Sequence, residues 1–122
     1  MEYETDPTVV EIEVTVGTIR DGSVIITCNP NPVPVSVPNS LLVFNLRTPG
    51  YHFKGTGAIV IDGKFDDFPY PSWTVNAKTS ALFDACNEAD QFEYSVFVKR
   101  DKDGAEFSVD PIIDNGNATC QP

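Results

Sequence analysis

The chain has 122 residues, 41% of them hydrophobic, and a formal net charge of −10 from 18 acidic and 8 basic side chains. That length suits one domain and buries enough surface for a core without staples, while the charge repels polyanions and so excludes nucleic acid and anionic membrane surfaces as partners. The longest apolar runs, 41–44 and 58–61, hold four residues each, far from the ~20 needed for a membrane-spanning helix.

Residues 1–7 are acidic and read as a frayed arm. They lack the basic and apolar regions of a secretory signal, so a cytoplasmic protein is expected. A first strand runs over residues 8–18, with Val10, Ile12, Val14 and Val16 on one face and Glu11, Glu13 and Thr15 on the other. Arg20-Asp21-Gly22 turns the chain into a second strand, 23–28. A two-residue Asp-Gly loop would set Val16 opposite Thr27. A three-residue loop with Gly22 left-handed pairs Val16 with Ile26 and Val14 with Cys28, apolar beside apolar, and is the one expected.

Residues 29–38 hold four prolines. Proline cannot donate to a ladder, so this segment reads as an edge strand or an extended crossing between sheets, with Val33, Val35 and Val37 anchored in the core. Residues 41–46 form a central strand ended by a turn through Pro49-Gly50. Strands at 51–53 and 58–62 follow, separated at Gly55-Thr56-Gly57 by a bulge or bend. Residues 62–72 are the longest irregular stretch, and Tyr70-Pro71 there is a candidate cis bond. A strand is expected at 73–79, then a short helical turn around 81–86. The last hairpin turns at Asp101-Lys102-Asp103-Gly104 with a four-residue loop, pairing Val98 with Phe107 and Val96 with Val109.

Seven to eight such strands, all-β and with a proline-rich crossing, specify a two-sheet antiparallel β-sandwich of Greek-key type over residues 8–115, followed by a tail, 116–122. Three cysteines, Cys28, Cys86 and Cys120, are an odd count, so reduced thiols are expected. Cys28 continues an apolar face and Cys120 is the exposed thiol; a Cys28–Cys86 bridge is the competing reading.

Pro34-Val35-Ser36-Val37-Pro38, Leu42-Val43-Phe44-Asn45-Leu46 and the closing Phe107-Ser108-Val109-Asp110-Pro111-Ile112-Ile113-Asp114-Asn115 resemble the small bacterial family called DP-EP. The resemblance implies an immunoglobulin-like or cupredoxin-like sandwich and no activity. A blue-copper site needs two imidazoles and a thiolate, and this chain has only His52 and only Met1. No metal or other cofactor is therefore expected.

No motif carries covalent chemistry. His52 reads as an ordinary surface or structural histidine. Lys54-Gly55-Thr56-Gly57 has its lysine ahead of the glycines, unlike a phosphate loop. Asp101-Lys102-Asp103-Gly104 starts like a calcium loop but has Ile112 where the twelfth-position glutamate belongs. Asp62, Asp66 and Asp67 form a looser acidic group on a solvated loop. Phe65, Phe68, Tyr70 and Trp73 either cap the core, with Trp73 between the sheets, or stack on a ligand or partner. The expected function is a non-enzymatic binding module, with Phe68, Tyr70, Trp73, Asp66 and Asp67 as its small-molecule or protein-binding surface. A structural or weakly self-associating component is the alternative, and a hydrolase built on the loop carboxylates is the remote one.

Overall fold

The computed structural model describes residues 8–36, 38–63, 66–86 and 90–116. The expected arm at 1–7, Val37, Phe65, Cys120 and the tail beyond Gly116 lie outside them. Eleven strands are described, and they form an all-β sandwich of two sheets. β1 (Thr8–Thr18), β2 (Val24–Asn29), β4 (Ser40–Leu46), β7 (Trp73–Asn76) and β8 (Thr79–Asp84) make one sheet in the order β2-β1-β4-β8-β7. β3 (Val33–Pro34), β5 (Tyr51–Phe53), β6 (Ile59–Ile61), β9 (Gln91–Arg100), β10 (Glu106–Val109) and β11 (Ile112–Asp114) make the other.

The first hairpin has the expected register. Val16 faces Ile26, and Val14 faces Cys28. Ile19 N donates to Ser23 O at 3.0 Å, which leaves 20–22 as the loop, with Gly22 at φ +90°. The second hairpin also agrees, pairing Val98 with Phe107 and Val96 with Val109. β9 is the spine of its sheet. One side carries β10 and β11; the other carries β5 and β6. β5 and β6 are one interrupted strand, since residues 54–58 bulge opposite Phe97 alone, which accepts from Lys54 N and donates to Ala58 O. The glycines of Gly55-Thr56-Gly57 sit in that bulge, as expected.

Three expectations change. The sheets are mixed, because β1 pairs β4 in parallel and β11 pairs β3 in parallel. Parallel neighbours need a crossover, and residues 29–39 supply it: the chain leaves β2, lays β3 on the edge of the second sheet, and returns to the first sheet beside β1. The segment is thus both edge strand and crossing, with Val33 and Val35 fully buried. The strand total exceeds seven to eight because bulges and turns divide longer runs. Finally, 79–84 is strand where a helical turn was expected at 81–86: β8 pairs β4 along its length and sends Ser80, Leu82 and Asp84 inward.

Both sheets share one core, built from Ile12, Val14, Leu42, Phe44 and Leu82 against Phe53, Ile59, Tyr94, Val96, Val98 and Ile113. Phe44 meets Tyr94 at 5.6 Å between ring centroids. Cys28 is free and buried as expected, and burial pushes its thiol up to about 11, with Tyr94 pulling the other way. Cys86 contradicts the expectation of reduced thiols, because it is disulfide-bonded. The Cys28–Cys86 bridge is excluded.

An alanine at position 22 meets no steric obstacle but must hold a positive φ. Gly22→Ala is therefore expected to cost about 1 kcal/mol in urea unfolding; an unchanged midpoint would contradict the left-handed three-residue turn.

Candidate functional site

The irregular stretch after β6 crosses from the second sheet to the first, and residues 66–72 form a strap over the gap. Prolines at 69 and 71 lack amide donors, so the strap cannot pair as a strand. Side chains hold it instead. Ser72 stands where a neighbouring strand would be: its Oγ accepts from Ile59 N at 3.2 Å and donates to Ile59 O at 2.7 Å. Phe68 meets Phe92 edge-on at 5.1 Å, and Tyr70 lies against Phe83 at 5.8 Å. The bend at Tyr70-Pro71 is trans; among the described residues the cis peptides precede Pro30 and Pro32.

The deepest anchor is Asp67, 1% exposed. Its carbonyl accepts from Ala85 N at 2.7 Å, and its Oδ2 accepts from Asn115 Nδ2 at 3.0 Å. The same amide donates to Asp84 Oδ1 at 2.9 Å, and Asp84 also receives Cys86 N at 2.9 Å. One carboxamide at the end of β11 thus ties the strap to the end of β8. Asp84 is fully buried. Desolvation pushes its carboxyl up to about 6, aided by the charge of Asp67 and opposed by the bonds from Asn115 and Cys86.

Beneath the strap lies a cleft of about 480 Å³. Ile59, Ile61 and Leu82 give it apolar walls, Phe68, Pro69 and Tyr70 roof it, and Asp66 stands among its polar lining. Asp66 and Tyr70 are exposed at the surface, Tyr70 by 61%. Of the five residues expected to form a binding surface, Asp66, Phe68 and Tyr70 converge here. Trp73 does not line the cleft. It starts edge strand β7, paired with Ala81 and 46% exposed, so it is not buried between the sheets. Asp67 is also not a surface carboxylate; it turns inward to the core. Leu82, Ser72, Asp84 and Asn115 escaped sequence reasoning. Only the inward phase of β8, once known, would have flagged Ser80 and Asp84 as buried polar positions.

Other candidates resolve into structural roles. His52 Nδ1 lies 2.6 Å from Asp101 Oδ1 on the surface. Asp103 receives Arg100 through Nε at 3.0 Å and Nη2 at 2.8 Å, which holds its carboxyl down at about 2. Both acids of the calcium-like turn are therefore engaged, Asp101 by β5 and Asp103 within the hairpin. Asp110 of the Asp-Pro step accepts from Ser95 Oγ at 2.7 Å. Among the described residues no three His, Cys, Asp or Glu side chains are grouped to hold a metal. Comparison with protein-family models and with curated proteins finds no match.

Because Asp84 binds its proton more tightly in the folded state, its contribution is complete below about pH 4 and is lost as pH rises through about 6. Wild type is expected to lose up to about 3 kcal/mol more than Asp84→Asn between these limits, read from urea midpoints. Parallel pH profiles for the two proteins would show that the carboxyl ionises without penalty.

Proposed function

We propose that the protein is a non-enzymatic binding module and that the cleft under the 66–72 strap is its ligand seat. What supports this reading is a preformed hollow of about 480 Å³ whose roof is fastened to β6 through Ser72 and to the end of β8 through the Asp67 carbonyl. Ligand sites are concave, largely apolar and carry a few placed polar groups, and this cleft has that make-up. Asp66 and the net charge of −10 favour a cation. The ligand is therefore a small molecule with an apolar or aromatic body and an ammonium head. Of the three loop carboxylates a hydrolase would draw on, Asp62, Asp66 and Asp67, Asp66 alone is among the cleft-lining residues, and Asp67 turns inward to Asn115, so the cleft offers no pair of them for acid-base work. Membership of the DP-EP family is proposed on its short motifs alone.

The disulfide at Cys86 bears on location. Disulfides persist in oxidising compartments, so the reading favours such a compartment over the cytoplasm expected from the N-terminal sequence.

Two measurements test these readings. A panel of arylalkyl and alkyl ammonium compounds, titrated by NMR, is expected to shift the amides of Ile61, Gly63, Asp66 and Tyr70. Tyr70→Ala should weaken binding about tenfold, near 1.4 kcal/mol, and Asp66→Asn should reduce the preference for ammonium over the neutral analogue. No binding from the panel, or binding indifferent to Tyr70→Ala, removes the cleft as the seat. For the second, denatured unreduced protein is expected to titrate with fewer than three free thiols, Cys28 among them, since Cys86 is disulfide-bonded; three thiols would reject the oxidised Cys86.

A further inference from the structure

Buried polar atoms in native proteins have partners, and an exception points to a water, an ion or a functional group. Among the described residues, Asp84 Oδ2 and Asn115 Oδ1 are two such exceptions. Both side chains are fully buried, and neither oxygen has a hydrogen-bond partner. When Asp84 is ionised both atoms are acceptors only, so neither satisfies the other. They belong to side chains joined at 2.9 Å, from Asn115 Nδ2 to Asp84 Oδ1, and so they lie close together. The same amide nitrogen also donates to Asp67 Oδ2 at 3.0 Å. That brings a second carboxylate, 1% exposed, into the same enclosure.

The charge at Asp84 is also unbalanced. Its carboxylate bonds to the Asn115 amide and the Cys86 N–H, both neutral. Ser40, its neighbour across β4, is buried and uncharged. The charge that acts on Asp84 is that of Asp67, which has the same sign. A desolvated carboxylate needs a counter-charge or a proton, and two of them around one neutral amide need it more.

We infer that the enclosure formed by Asp67, Asp84 and Asn115, where the strap meets the ends of β8 and β11, is a calcium site. Carboxylate and carboxamide oxygens are the ligands calcium takes. Magnesium dehydrates reluctantly and demands near-octahedral geometry, so a closed pocket of this kind disfavours it. A divalent ion would offset both carboxylates and give Asp84 Oδ2 and Asn115 Oδ1 a partner at once. The set holds two acids and a carboxamide rather than three acids, so a search for acids alone passes over it. With only two charged ligands the affinity belongs to the weak class of extracellular modules, about 10⁻⁴–10⁻³ M. That class suits the oxidising compartment favoured by the Cys86 disulfide. Calcium and the proton are alternatives at Asp84, and the pH behaviour derived above is that of the calcium-free chain. None of the three residues lines the cleft, so the site stands whether or not the cleft binds an ammonium compound.

Calcium chloride added to chelator-treated whole chain at neutral pH tests this. At 10 mM calcium, wild type is expected to gain about 5–10 °C in thermal midpoint, and magnesium chloride at the same concentration is expected to give a much smaller gain. Titration followed by NMR should move the amides of Ala85, Cys86 and Gly116 with a single saturating curve. Asp84→Asn keeps the shape of the side chain and is expected to lose the calcium gain, while Asp62→Asn, on the loop, should retain it. No gain with calcium would leave the cluster to a proton or a water and reject the site. An equal gain with magnesium, a gain that survives Asp84→Asn, or shifts confined to exposed acids would show only screening of the net charge and would equally overturn the proposal.

Discussion

The side-chain amide of Asn115 joins three parts of the chain that sequence keeps far apart. It donates to Asp67 on the strap and to Asp84 at the end of β8, from a position just after β11. Removing it would leave two desolvated carboxylates facing each other. A buried polar group that loses its partner forfeits about 1–3 kcal/mol, and more if it is charged. Asp84 already relieves part of this cost by holding its proton more tightly. The strap's position, and with it the cleft, therefore depends on a small polar cluster set inside an otherwise hydrocarbon core. Such clusters contribute geometry more than stability: an apolar contact could hold the strap nearby, but two hydrogen bonds from one rigid amide hold it at one place.

The strap also explains how the sandwich ends on that side. β6 has no strand beyond it, and β7 is too short to lend one. A continuous strand there would satisfy the backbone but fill the gap between the sheets. A proline-bearing strap held by Ser72, Phe68 and Asp67 satisfies the edge at one residue and leaves space beneath. The hollow is thus a consequence of using side chains rather than backbone to close an edge.

Local patterns were legible in the sequence, and distant partners were not. Both hairpin registers followed from pairing apolar side chains across turns whose glycines tolerate positive φ, Gly22 and Gly104. The bulge at Gly55-Thr56-Gly57 and the burial of Val33 and Val35 were likewise written in residues a few positions apart. The parallel pairing of β1 with β4 depends on the path of the crossing, which no short window encodes. β8 was misread because Ser80 and Asp84 occupy inward positions, which breaks the apolar alternation that marks a strand. Asp67 was misread for a related reason: an aspartate between Asp66 and Phe68 looks solvated until Asn115, 48 residues away, is brought beside it.

Trp73 shows the limit of reading aromatic residues by hydrophobicity alone. A lone tryptophan beside prolines suggests a buried wedge, yet here it begins an edge strand, opposite Ala81 on the outward face. Tyr70 and Phe83 extend that outward face toward the strap. Edge strands have one paired side and one open side, and a large ring is retained in either setting because it covers backbone as well as filling volume. The residues that differ between the two settings are the small ones opposite the ring. Ala81 leaves room for Trp73 on the outside, while Leu82 next to it points inward to floor the cleft. The division between outer aromatic face and inner hollow is therefore set at β8, by which of two adjacent residues faces each way.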